Sequence, residues 1–140
     1  MNVESQIGIA APAQRIWQVW TDVEHWSDWT PSVTWIRRLD TGDFGVGSRA
    51  TVKQPSMQSL VWEVTECTPG ESFVWTTRTA GTTLVAGHRV APAEDGTSTA
   101  TFTISHTGLL APALDLLIGG RIKRYLALEA DGIRRYCEAA

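Results

Sequence analysis

The chain has few of the residues that carry covalent or metal-based chemistry. Its two cysteines, Cys67 and Cys137, stand 70 residues apart and outside any CxxC or Cys/His spacing. That argues against a disulfide framework and a structural zinc site and leaves two buried, reduced thiols as the expectation. GxSxG, HExxH and GxxxxGKS/T are missing, and the GxG inside Gly42–Gly47 joins two predicted strands instead of opening a helix, so it reads as a hairpin turn and not a phosphate loop. Charge is sparse: 19% of residues are charged, with a net charge of −3 and a pI near 5.5, which argues against nucleic acid or an anionic membrane as a partner. No stretch approaches the roughly 18 apolar residues of a membrane span, and Met1–Ile9 has neither the basic nor the apolar region of a secretion signal. Stable membrane insertion is not expected, and a cytoplasmic location is the default expectation.

What the chain has in excess is tryptophan. Five of its seven tryptophans (Trp17, Trp20, Trp26, Trp29, Trp35) fall within nineteen residues, and Trp62 and Trp75 follow in a strand-rich region. A 140-residue chain with 43% apolar content builds one soluble domain, spanning 1–140, and one good core. Seven indoles, each with an N–H that wants a partner, either fill that core or line a space that a ligand or water completes.

Val3, Ile7 and Ile9 share parity, which predicts a first strand with one buried face. Pro12 suits the first turn of a helix, and Ile16, Trp17, Val19 and Trp20 recur at helical spacing as far as Asp22. A second short helix, about 23–29, puts Trp26 and Trp29 on one face before Pro31 ends it. Turn chemistry at Thr41-Gly42-Asp43, Pro55-Ser56, Pro69-Gly70, Ala80-Gly81 and Asp95-Gly96 then separates strands near 32–40, 47–54, 58–67, 72–79, 83–92 and 97–107. The connections are too short for crossovers, so all seven strands are expected to run antiparallel.

From Leu109 to about Glu138 the period changes. Leu110, Leu114, Leu117, Ile118, Ile122, Tyr125, Leu126, Ile133 and Tyr136 form an apolar stripe opposite Lys123, Arg124, Asp131, Arg134 and Arg135. A continuous helix over 113–138 is about 39 Å long at ~1.5 Å per residue, enough to cross a small domain. Gly119-Gly120 lies within it, predicting a kink, a close approach to another backbone, or a break between two helices.

Strand parity predicts the interior. Leu60, Trp62 and Val64 share a face, as do Phe73 and Trp75; His88 lies with Leu84, Ala86 and Val90, and His106 with Ala100, Phe102 and Ile104. Both histidines therefore face inward, where three roles stay open: a satisfied core residue, a hydrogen-bond partner for a ligand, or a general acid/base. Glu66 is the nearby carboxylate that parity places on the Trp62 face, and neither histidine has a parity-matched carboxylate to fix its tautomer. No metal site is expected, since a third ligand is missing, and nothing calls for a cofactor. Trp62 and Trp75 are candidates for a cavity wall. Arg121 and Tyr125, four apart on the helix, are candidates for polar tips at its edge, with Leu117 of the stripe beside them.

This order of elements resembles the START/Bet v 1-like helix-grip superfamily: an α+β fold whose seven-stranded curved antiparallel sheet wraps a long C-terminal helix, with two short helices after the first strand. The segments APAQRIW (11–17), TDVEHWSDWTP (21–31), Gly45–Arg49, Trp62–Glu66 with Pro69-Gly70, and Gly119–Arg121 with Tyr125-Leu126 are similar to the polyketide cyclase/dehydrase group of that superfamily. The resemblance implies a cavity between sheet and helix that holds a small hydrophobic molecule: a lipid, a polyketide, or another aromatic or isoprenoid compound. Trp62, Trp75, Phe102 and Leu117 then form an apolar wall, with His88, His106, Arg121 and Tyr125 as orienting groups. The alternative it implies is a cyclase or dehydratase in which His88 or His106 is the acid/base. Oligomeric state stays open.

Overall fold

The computed structural model describes residues 1–79 and 81–139. Seven strands, β1 (Asn2–Ile9), β2 (Trp35–Arg38), β3 (Arg49–Lys53), β4 (Leu60–Thr68), β5 (Ser72–Thr79), β6 (Thr82–Pro92) and β7 (Ser98–Thr107), form one antiparallel sheet in the order β1-β7-β6-β5-β4-β3-β2. Helix α1 (Ala13–Thr21) and a 3₁₀ helix (Val23–Asp28) follow β1, and helix α2 (Ala111–Glu138) ends the chain. The strand periodicity, the turns and the change of period near residue 109 thus yield the expected curved sheet around a terminal helix. Strand β2 is shorter than its apolar pattern suggests, because Ser32 and Val33 are spent in the turn that leaves the 3₁₀ helix.

The meander connects β2 to β7 in sequence order, and β1 then joins the free edge of β7, with Asn2 opposite Ser105 and Ile9 opposite Ser98. The concave face holds the core. Trp20 of α1, Phe73 of β5 and Phe102 of β7 are its largest fully buried side chains, with Ile133 of α2 closing over them. Burying each of these stabilises the fold by roughly 1.5–3 kcal/mol.

Helix α2 runs unbroken through Gly119-Gly120. A Cβ at Gly119 would make ordinary contact with Met1 Sδ at 3.6 Å, and one at Gly120 would meet nothing. The close backbone approach occurs two turns before the C-terminus instead. A Cβ at Gly132 would stand 2.1 Å from the carbonyl oxygen of Trp29, so only glycine lets α2 lie on the chain leaving the 3₁₀ helix. At the far end of α2, the Arg15 guanidinium donates to the carbonyls of Tyr136 and Cys137, each at 3.3 Å, supplying partners and positive charge where helix carbonyls run out.

One irregularity matters for the site. The β4–β5 register shifts between Val64 and Glu66: Val64 pairs with Trp75, and Glu66 with Val74. This bulge reverses parity along the rest of β4. Glu66, expected on the Trp62 face, is exposed on the other side.

Candidate functional site

Four indoles form a row across the concave face. Trp29 meets Trp26 (ring centroids 5.4 Å apart), Trp26 meets Trp75 (5.4 Å), and Trp75 meets Trp62 (5.7 Å). Trp26 spends its N–H on the carbonyl of Trp20 at 3.0 Å, whereas the indole nitrogens of Trp20 and Trp29 are buried without a partner among the described residues. Between this row and α2 lies a space of two lobes. The outer lobe, about 60 Å³, is walled by Met57, Leu60, Leu84, Ile122, Tyr125 and Leu126. The inner lobe, about 70 Å³, is walled by Trp26, Val33, Val52, Trp75, Ala86 and His88. Gln54, Trp62, Ile104 and Glu129 border both and therefore form the waist. Ligand pockets run to roughly 300–1,000 Å³, so this space has room for no more than a few water-sized molecules. A larger hollow of about 520 Å³ lies between α1 and residues 38–44. It is an open, polar surface groove flanked by Asp22, Arg38 and Asp43, with Arg38 already committed to Asp40 and the Gly42 carbonyl. The apolar, less open space between sheet and helix is the better candidate site on chemical grounds.

Histidine 88 is central to it. Its ring stacks on Phe73 (centroids 4.4 Å apart, planes 8° apart) and meets the edges of Trp20 and Phe102. Its Nε2 lies 2.8 Å from Oε1 of Glu129 on α2, while Nδ1 is buried with no partner among the described residues. The carboxylate accepts the Nε2–H, which in a neutral ring leaves the lone pair on Nδ1. The carboxylate missing by strand parity thus comes from the helix. Glu129 falls three residues after Leu126, seven after Ile122 and four before Ile133, so it occupies the buried stripe itself. A carboxylate interrupting that stripe was the available signal.

His106 is equally buried, but it lies outside the cavity walls. Its Nδ1 is 2.5 Å from Oδ1 of Asp115, whose other oxygen is 3.3 Å from the Met1 amino group. The hydrogen bond from His106, aided by that amino group, holds the Asp115 carboxyl below its ordinary value. Asp115, too, sits in the buried stripe, four residues after Ala111 and seven before Ile122.

The remaining sequence candidates divide. Trp62 and Trp75 line the cavity, and Tyr125 lines its outer lobe. Phe102 is fully buried behind His88 and packs in the core, not on the wall. Leu117 is on the surface, because the buried stripe of α2 runs through Ala111, Gly119, Ile122, Leu126 and Ala130, a course that excludes it. Arg121 and Tyr125 turn to the segment joining β3 and β4. The Arg121 guanidinium donates to the Ser56 carbonyl at 3.1 Å, and the Tyr125 hydroxyl to the Pro55 carbonyl. Ser56 itself has φ +62°, the left-handed region that non-glycine residues rarely adopt. These two bonds clamp the segment that roofs the outer lobe.

The fold has solved counterparts. It is similar to a START superfamily protein from Mycobacterium smegmatis (TM-score 0.75, 15% identity, 96% of this chain and 97% of that one) and to the Zhui aromatase/cyclase from a Streptomyces species (TM-score 0.80, 14% identity, 99% and 93%). It is also similar to norcoclaurine synthase from Thalictrum flavum (TM-score 0.75, 16% identity, 97% and 85%). At these identities the likeness is one of fold. No curated protein matches the sequence. The family model described as polyketide cyclase / dehydrase and lipid transport matches residues 1–138, and the chain belongs to that family.

Proposed function

We propose that the protein binds a small hydrophobic molecule, such as a lipid, a polyketide or another aromatic or isoprenoid compound, between the sheet and α2. The observation that carries this reading is the two-lobed apolar space with a single carboxylate–imidazole pair, Glu129 and His88, at and beside its waist. Such a site favours a largely apolar ligand with one hydrogen-bond donor, such as a hydroxyl, that donates to the Glu129 carboxylate or to the lone pair on Nδ1 of His88. The cavity is smaller than such a ligand, so uptake requires the roof at 54–59 to lift or α2 to move. The two unpaired thiols, Cys67 and Cys137, accord with a cytoplasmic setting.

Intrinsic tryptophan fluorescence, titrated with fatty acids, flavonoids and aromatic polyketide-like compounds, should change saturably, and Trp75→Ala should weaken the response. A panel that changes neither fluorescence nor melting temperature would refute the binding reading.

The same pair favours one second reading, a cyclase or dehydratase. The fold is shared with proteins named as an aromatase/cyclase and a norcoclaurine synthase, and a buried imidazole backed by a carboxylate has the components of a general base. In that reaction the ligand's C–H bond α to a carbonyl breaks, the proton passes to Nδ1 of His88, and the electron pair moves onto the carbonyl oxygen as an enolate. Tyr125 and Arg121 donate to the roof carbonyls of Pro55 and Ser56, so neither is assigned a part in this step. His88→Gln separates the readings: a general base predicts retained affinity with turnover of a cyclisable substrate down by roughly 10²–10⁴, whereas an orienting role predicts a loss of affinity.

A further inference from the structure

One end of the molecule presents apolar side chains that none of the described residues covers. Leu109 is 97% exposed, Leu116 91% and Leu117 78%. They lie on the turn entering α2 and on its first two turns, beside the half-exposed Leu110, which rests over Gly81 of the β5–β6 turn. Lys123 and Arg124 follow Leu116 and Leu117 by seven residues, hence on the same helix face, and both are exposed. The segments at this end are tied together by the Arg121–Ser56 and Gln58–Thr79 bonds and by the packing of Leu110 on Gly81.

Charge is segregated in the same way. Residues 53–58, 78–79 and 107–124 contain five cations, Lys53, Arg78, Arg121, Lys123 and Arg124, and one acid, Asp115. That acid is engaged by His106 and the Met1 amino group. The other 14 of the 15 acids lie elsewhere in the chain, so a net charge of −3 conceals one strongly positive end.

We propose that this end docks peripherally on an anionic lipid bilayer, with Leu109, Leu116 and Leu117 entering the headgroup boundary and Lys123, Arg124 and Arg121 meeting lipid phosphates and carboxylates. Three exposed leucines offer far less than the roughly 1,000 Å² of a stable protein interface. A bilayer demands no shape match and rewards the combination of inserted apolar side chains and flanking cations. The roof of the cavity, held by Arg121 and Tyr125, belongs to the same end, so docking brings it to the membrane surface. This inference stands whether or not the cavity binds a ligand.

Co-sedimentation of the full chain with vesicles of phosphatidylcholine, with and without phosphatidylserine, tests it. Binding should need phosphatidylserine and fall with added salt. Lys123→Glu/Arg124→Glu should weaken it by about twentyfold or more, given roughly fivefold per cation, and Leu116→Ser/Leu117→Ser by about tenfold. All four positions are exposed, so the variants should melt like the parent. No binding to phosphatidylserine vesicles, equal binding to both vesicle types, or unchanged binding by either variant overturns the proposal. A dimer that the leucine variant dissociates, without vesicle binding, would assign the patch to a second copy and overturn it as well.

Discussion

Nε2 of His88 and Oε1 of Glu129 lie 2.8 Å apart although 41 residues separate them in the chain. This bond joins the middle of β6 to the middle of α2 across the apolar space, and the sheet and the helix hold the two groups facing each other. Such a pair stabilises when intact and penalises when halved, since a lone buried polar atom keeps its desolvation cost. Glu129→Leu, which leaves Nε2 without its acceptor, should lower unfolding free energy by about 1–3 kcal/mol in urea denaturation. The double variant with His88→Leu should recover part of that loss. Strict additivity of the two changes would show that the pair is not coupled.

The second histidine–carboxylate pair adds a pH-dependent contribution to stability in acid. His106 and, less strongly, the Met1 amino group hold the Asp115 carboxyl below its ordinary value of 3.8. A carboxyl depressed by folding adds stability above its unfolded value, and that contribution disappears as pH falls through the lower, folded value. Asp115→Asn should therefore be less stable than the parent at neutral pH, and the gap should close as pH drops below about 4. Melting curves that run parallel from neutral to strongly acidic pH would contradict this.

Two glycines of α2 should respond to alanine with opposite signs. Gly120 is exposed and a Cβ there meets nothing, so Gly120→Ala should stabilise by up to about 1 kcal/mol through helix propensity. At Gly132 the Cβ would fall 2.1 Å from a backbone oxygen, and Gly132→Ala should destabilise by about 1–3 kcal/mol or more as helix and loop part. Thermal melts by circular dichroism suffice to compare them.

Release of the roof should speed filling of the cavity. Tyr125→Phe removes the hydroxyl bonded to Pro55 while keeping the ring on the wall. Stopped-flow binding of anilinonaphthalene sulfonate should become several-fold faster, with a smaller change in affinity. An unchanged association rate would place the route elsewhere along α2.

The sheet and helices were legible because alternation, turn residues and the change of period all agree, and each is a local property of the chain. What stayed hidden depends on non-local geometry. The bulge between Val64 and Glu66 carries no marker such as glycine or proline, so parity continued one residue too far and put Glu66 inside. Apolar residues alone bias the stripe of α2 toward Leu117, which lies on the uncovered face. Reading the same helix for acids on the covered face finds Asp115 and Glu129, each four residues before a buried, sheet-facing position, Gly119 and Ile133. Helical spacing puts Trp26 and Trp29 on one face but does not say what that face meets; Trp26 walls the inner lobe because the 3₁₀ helix is tucked against β2 and carries it over the sheet.

The pairing of β1 with β7, Asn2 against Ser105 through Ile9 against Ser98, has a consequence for how the chain is made. The first strand emerges from the ribosome with no partner and must wait for about a hundred more residues before its hydrogen-bonding edge appears, and α2 emerges later still. Synthesis at roughly 5–20 residues per second leaves β1 unpaired for about five to twenty seconds. The meander from β2 to β6 can form in the meantime through short-range contacts, while closure by β1 and α2 is the slow, long-range step. Until then neither β1 nor α2 is in place beside the tryptophan row, and that apolar face lacks the cover it has in the finished fold.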